Sequence, residues 1–169
     1  MIFRLRRKLL AGVAGIVVVG TVGTAVNAAA APGPADGATQ SYAVETFDYP
    51  NAAKILKERG IALRKGDGHI LLADCAATHD IVVSTTALDN VDRGRYCFKV
   101  TGTGKTGYLT LEIPKVVTIG TGDYNVQAKL TADSETTTVD VPKNDMTSVG
   151  QGTQKGGGPA VLVELRVTG

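Results

Sequence analysis

The stretch Arg95-Tyr96-Cys97-Phe98-Lys99-Val100-Thr101 decides the fold class of this chain. Its large apolar residues, Tyr96, Phe98 and Val100, occupy every second position. Successive side chains of a β-strand point to opposite faces of the sheet, so this spacing predicts a strand with one face in a hydrophobic core.

The same period of two recurs on both sides of this stretch. We predict further strands over residues 61–64, 69–75, 80–85, 107–113, 116–119, 124–131, 136–141 and 160–167. The Thr-rich segment 136–141 is expected at a sheet edge, and Val161, Val163, Leu165 and Val167 are expected to share one face of the last strand. Short alternating strands separated by turn signals are typical of a sandwich or a small barrel. We expect a mainly β, single-domain antiparallel β-sandwich.

One short helix is predicted before these strands. Residues 52–59 are mostly good helix formers, Asn51 can cap the N-terminus, and Gly60 suits the left-handed position after the last turn. A helix this short must pack on the β domain to persist.

The first thirty residues have the pattern of a secretory signal. Four basic residues, Arg4, Arg6, Arg7 and Lys8, precede an apolar run and the small residues Ala28–Ala31. We therefore predict a secreted, extracellular protein, with an uncleaved membrane anchor as the alternative. The Arg6-Arg7 pair also leaves twin-arginine export open beside the general secretory route. The predicted organisation is a signal peptide over 1–30, a flexible or extended arm over 31–49 and a β-sandwich over 50–169.

Charge excludes two classes of partner. Removing the four basic residues of the signal from the 18 in the chain leaves 14 against 16 acidic residues, a net charge of −2. We expect no binding to nucleic acid, and none to a membrane after signal cleavage, because neither anionic surface attracts such a chain.

The two cysteines, Cys75 and Cys97, are expected to form one disulfide, because an even count in an exported protein favours pairing. Two free thiols or half of a metal site are the alternatives. A zinc site would need additional ligands at closer spacing.

No residues are predicted to be catalytic, to bind a cofactor or to hold a metal. The segment Thr101–Thr106 is similar to the end of a phosphate-binding loop, but Lys99 stands where that loop needs Gly, and a strand follows in place of a helix. His69 and His79 are the only imidazoles, and the chain has no Gly-x-Ser-x-Gly turn. We expect a protein that is not an enzyme. The alternatives are a secreted enzyme or enzyme inhibitor that uses His79, and a cell-surface structural domain without a dedicated partner.

The segment before the helix is the densest aromatic site of the predicted mature chain. Tyr42, Val44, Phe47 and Tyr49 put four large side chains into eight positions. An extended apolar segment of this kind can bind a partner protein by adding a strand or filling a groove. It can also pack on its own domain as a first strand.

These features together resemble a known family. The signal, the aromatic arm, the segment Lys54–Ile61 and the segment Gly68–Cys75 that opens a single-disulfide β domain are similar to the small adaptor subunit of the umbrella toxin particles of Streptomyces and related actinobacteria. The resemblance implies a non-catalytic bridge, in an antibacterial particle, between a large toxin subunit with α-helical repeats and a lectin-bearing subunit with a trypsin-like fold. It also implies that the arm, here residues 39–49, enters a cleft of the lectin-bearing subunit.

Overall fold

The computed structural model describes residues 45–89, 92–153 and 157–169, so the predicted signal and most of the predicted arm lie outside the described residues. The elements are β1 (Phe47–Asp48), α1 (Ala52–Arg59), β2 (Ala62–Gly66), β3 (Ile70–Ala73), β4 (Ile81–Thr85), β5 (Arg95–Val100), β6 (Thr106–Thr121), β7 (Val126–Ala132), β8 (Glu135–Val141), β9 (Met146–Ser148), a 3-10 turn (Gly150–Gly152) and β10 (Ala160–Thr168). The mainly β, antiparallel fold with one helix is confirmed.

The ten described strands form one antiparallel network that β6 divides into two layers. The first half of β6 lies between β2 and β10, and this layer runs β1-β2-β6-β10-β7-β8. The second half of β6 lies between β4 and β9, and this layer runs β3-β5-β4-β6-β9. One long strand is therefore shared by both layers.

The participation of β6 in both layers depends on a bulge at Pro114-Lys115. Ile113 pairs with Leu162 and Val116 pairs with Ala160, so β6 has one residue more than β10 between these two pairs. Lys115 has a φ of 57°. An extra residue bends a strand and increases its twist. The prediction of two strands over 107–113 and 116–119 was wrong, because the chain bends at the bulge and continues as one strand.

The core lies between the two layers. Ile81, Val83 and Phe98 of the second layer are fully buried together with Leu109 and Leu165 of the first layer. The predicted core positions Tyr96, Phe98 and Val100 are all buried, as expected from their alternation.

The predicted face of β10 was wrong for half of the strand. Leu162, Leu165 and Val167 are buried, whereas Val161 and Val163 are only partly buried. The register slips between Leu162 and Glu164 against both neighbouring strands. This second bulge exchanges the two faces of β10 midway along its length.

Helix α1 has the predicted bounds, and Gly60 ends it with a φ of 69° and a hydrogen bond from its N–H to the carbonyl of Leu56. The predicted side-chain cap is wrong. Asn51 has a φ of 57°, and its side chain forms no capping hydrogen bond.

The predicted disulfide is present. Cys75 and Cys97 are bonded with a Cα–Cα distance of 5.1 Å, and both are buried. Because Cys97 lies opposite Ala73 in the β3–β5 pair, the bond ties the end of edge strand β3 to β5.

Candidate functional site

The predicted partner-binding segment ends in a short edge strand. Phe47 pairs with Gly66 and Asp48 with Lys65, which places β1 at the edge of the first layer. Strand β1 begins before residue 50, the predicted start of the β domain. Two of the four predicted partner-binding residues, Tyr42 and Val44, lie outside the described residues.

Tyr49 connects the edges of the two layers. Its backbone N–H donates to the carbonyl of Arg64 at 2.7 Å, next to the pairing between β1 and β2. Its hydroxyl accepts a hydrogen bond from the N–H of Leu72 on β3 at 2.7 Å. Burial raises the pKa of the Tyr49 hydroxyl, although the bond from Leu72 acts in the opposite direction. Tyr49 is therefore an anchor of its own domain, as expected for a segment that packs as a first strand.

Phe47 has the opposite environment. Its side chain is 64% exposed, which makes it one of four large apolar residues that the described chain exposes to solvent. It lies beside a small cavity of about 70 Å³, which is also lined by Tyr49, Gly66 and Ile70. An exposed aromatic ring next to an apolar recess is a suitable contact for another protein.

A wider groove continues from this recess between α1 and β3. Its volume is about 470 Å³, and Tyr49, Pro50 and Leu71 line both the groove and the recess. Ile55 of α1 and Leu72 of β3 supply further apolar lining. We use the term arm-end surface for Phe47, Tyr49, Ile55, Leu71 and Leu72.

The charges around the arm-end surface are largely paired with one another. Lys54 and Glu58 form an i, i+4 pair at 3.9 Å, and Lys65 lies 3.6 Å from Asp48. All four side chains are more than half exposed, so these pairs stabilise the fold little. The surface therefore offers apolar side chains with both signs of charge at its rim.

The groove could not be predicted from sequence, because its walls come from elements that are distant along the chain. Ile55 is one of several apolar residues in α1, and Leu72 belongs to a run of apolar residues in β3. The hydrogen bond from Leu72 to Tyr49 and the packing of α1 on the sheet bring these residues together.

A larger cavity of about 870 Å³ lies at the other end of α1. It is lined by residues of the α1 C-terminus, the loop after β4 and the bulge of β6, including Arg59, Leu88, Tyr96 and Lys115. The Arg59 guanidinium forms an ion pair with Asp92, and the Tyr96 hydroxyl donates to the carbonyl of Arg59 at 3.1 Å. These polar groups hold the helix against the loop that carries Asp92.

The two imidazoles are in different settings. His79 is exposed in the loop before β4, and the carboxylate of its neighbour Asp80 accepts a hydrogen bond from the N–H of Val100 at 2.9 Å. The Nδ1 atom of His69 lies 3.3 Å from the Asp67 carboxylate, an arrangement that sequence reasoning missed although the two residues are close neighbours. Within the described residues, the hydrogen bonds of these histidines include none to a serine hydroxyl.

Among residues 45–89, 92–153 and 157–169, no three His, Cys, Asp or Glu side chains lie close enough to hold a metal ion. The same residues contain no helix that is long and apolar enough to span a membrane.

A buried carboxylate lies on the outer face of the first layer. Glu164 is 8% exposed, accepts a hydrogen bond from Nε of Arg166 at 2.6 Å and lies 3.2 Å from Nζ of Lys129. Arg166 also stacks on the ring of Tyr108, 4.4 Å from its centroid. Burial alone would raise the pKa of Glu164, but the hydrogen bonds and charges of Arg166 and Lys129 outweigh burial and lower it. The bulge in β10 places this carboxylate on the outer face.

Comparison with known proteins adds no family to this geometry. The chain matches no protein-family model and no curated protein.

Proposed function

We propose that the chain is a secreted, non-catalytic adaptor that binds another exported protein through the arm-end surface and the residues before it. The observation that carries the proposal is the contrast between two aromatic residues of one segment. Tyr49 is held by its own domain through Leu72, whereas Phe47, two residues earlier, exposes 64% of its side chain. A fixed attachment point next to an exposed ring suits a segment that continues onto a partner.

The arm-end surface supports binding by extended main chain. Among the described strands, β1 pairs with β2 alone, so its other edge presents backbone groups to an incoming strand. The apolar recess and the α1–β3 groove lie beside that edge and can take alternate side chains of the same segment.

The resemblance to umbrella toxin adaptors gives the proposal its finer form. In that form the arm enters a cleft of a lectin-bearing subunit, and the β domain contacts a helical-repeat toxin subunit of an antibacterial particle. The adaptor would then contribute geometry to the particle, while other subunits carry the toxin and the lectin.

The test is affinity purification of the chain from culture supernatant, followed by mass spectrometry of the exported proteins that accompany it. Phe47→Asp places a charge in the apolar contact and is expected to weaken binding of the partner by about 2 kcal/mol or more. Less of the partner should then be recovered. Leu88→Asp is the matched control, because Leu88 is similarly exposed at 68% but lies in the loop after β4.

Deletion of residues 37–44 provides a second variant that keeps β1 and Tyr49 in place. It should also lose the partner, while the unfolding transition stays the same. Full recovery of the partner by both the Phe47→Asp variant and the deletion would refute the role of this segment.

A further inference from the structure

The two layers are closed along one side and open along the other. On the closed side, the hydrogen bond between Tyr49 and Leu72 joins the edge of the first layer to edge strand β3. On the open side, the edges are β8 in the first layer and β9 in the second. Among the described strands, β8 pairs with β7 alone and β9 with β6 alone.

A groove of about 330 Å³ lies at this open side. Its floor contains the core residues Leu130, Val149 and Ala160. Its wall is the core-facing side of β8, where Val139 is partly buried but Glu135 and Thr137 are exposed. These two residues face the interior side of the layer, yet no described element covers them. We call this feature the β8 groove.

The backbone of β8 is available for hydrogen bonding along the same groove. Asp133 and Ser134 form the two-residue turn before β8, with φ values of 50° and 68°, and Ala132 pairs with Glu135 across it. Hydrogen-bonded and non-hydrogen-bonded pairs alternate in an antiparallel ladder. Residues 135, 137 and 139 therefore bond to β7, whereas the N–H and C=O groups of residues 136, 138 and 140 point away from it.

The charge of the β8 groove restricts its occupant. Asp133 and Glu135 lie at its rim, and the described residues that line it include no basic side chain. An acidic occupant would be repelled, whereas a segment with basic residues beside apolar ones is complementary in charge.

We propose that the β8 groove binds an extended segment of a partner protein by strand addition to β8. Alternate side chains of that segment enter the groove. They are apolar above Leu130, Val149 and Ala160 and basic at the end of the groove beside Asp133 and Glu135. This docking surface lies at the opposite edge of the first layer from β1. Its geometry does not depend on the arm-end surface, so a chain with both surfaces could hold two partners at once.

The probe for this proposal is a synthetic peptide of about nine residues, long enough to pair along a strand of ordinary length, in which threonine alternates with valine and the two terminal residues, on the same face as the valines, are lysine. Its matched peptide has glutamate in place of lysine. Calorimetry with the purified full chain should show saturable binding of the lysine peptide, with the glutamate peptide weaker by about tenfold or more.

Two substitutions at one position test the main-chain contact. Thr138→Pro removes an N–H that points away from β7, so it spares the β7–β8 ladder and should weaken binding of the lysine peptide by about tenfold. Thr138→Ala keeps that N–H and should bind like the parent chain. Glu135→Lys, at an exposed side chain, should bring the affinities of the two peptides closer together or reverse their order, and it serves as the test if Thr138→Pro fails to fold.

Three results would overturn the proposal. The first is no binding of the lysine peptide to the folded chain, and the second is equal affinity for both peptides in the parent chain and Glu135→Lys. The third is concentration-dependent dimerisation in sedimentation that Thr138→Pro abolishes, since a second copy of this chain would then be the occupant of β8. Phe47→Asp should leave peptide binding unchanged, which separates a failure here from a failure of the arm-end surface.

Discussion

The Tyr49 hydroxyl accepts a hydrogen bond from the backbone N–H of Leu72 at 2.7 Å, across the gap between the edge strands of the two layers. Leu72 lies in β3, which pairs with β5 on its other side. The bond thereby satisfies an amide at a sheet edge and fixes the point where the N-terminal segment leaves the domain.

Tyr49→Phe tests this relationship. It removes the acceptor and leaves the Leu72 N–H without its partner, so we expect the free energy of unfolding to fall by about 1 kcal/mol. Urea unfolding followed by circular dichroism measures the change. Phe47→Ala is the control. Because the Phe47 ring is exposed, its removal should leave the unfolding midpoint unchanged within experimental error. An unchanged midpoint for Tyr49→Phe would show that the hydroxyl does not stabilise the fold.

Glu164 is expected to make stability depend on pH. Its pKa is lowered below the ordinary value of 4.5 in the folded chain, because Arg166 and Lys129 favour its charged form despite its burial. The stabilisation is therefore fully present above that ordinary value and is lost as the pH falls through the lowered pKa of the folded state. Urea unfolding at a series of pH values measures this loss.

Glu164→Gln is the matched variant for the pH experiment. It should be less stable than the parent chain near neutral pH, because two cations lose their carboxylate, and the difference should shrink in acid. A difference between the two proteins that stays constant from neutral pH into acid would contradict the assignment.

The disulfide is expected to stabilise the fold through the loop that it closes. The separation between Cys75 and Cys97 is 22 residues. Closing a loop of this size is worth about 3 kcal/mol by chain entropy, so the Cys75→Ala/Cys97→Ala double variant should lose a stability of that order. Chemical reduction of the parent chain should bring its unfolding midpoint close to that of the double variant. Equal stability of the oxidised and reduced chains would argue against this contribution.

Gly104 and Gly68 form a matched pair for testing a close contact. Both have positive φ, 68° for Gly104 and 81° for Gly68, so alanine is strained at either position. A Cβ at Gly104 would also overlap the Tyr124 ring, whereas a Cβ at Gly68 would meet nothing within 4 Å. Gly104→Ala should lower the melting temperature more than Gly68→Ala does. Equal losses would mean that the ring moves aside without cost.

Alternation in the sequence predicted most of the strands, because half-buried strands leave a period of two. Tyr96, Phe98 and Val100 follow that rule, and the Thr-rich segment was correctly expected at an edge. The prediction from alternation failed where a β-bulge interrupts the period of two. The bulge at Lys115 adds a residue to β6 opposite β10, and the bulge at Val163 adds a residue to β10 opposite β7. A single sequence does not show against which partner such a residue is unpaired.

The candidate surfaces were less predictable than the strands. Phe47 and Tyr49 were found from their apolar character alone, but their opposite environments depend on contacts across the fold. Tyr49 is held by residues 15 and 23 positions later in the chain, Arg64 and Leu72. The β8 groove is a property of sheet topology, since it exists only because β8 and β9 end the two layers on the same side.

The shared strand β6 determines how the described domain unfolds. Its 16 residues are hydrogen bonded to β2, β4, β9 and β10, so neither layer can unfold and leave the other intact. Unfolding of the described domain should therefore be all-or-none. A domain that unfolds only as a whole keeps the arm-end surface and the β8 groove in a fixed relative orientation, as the proposed binding of two partners requires.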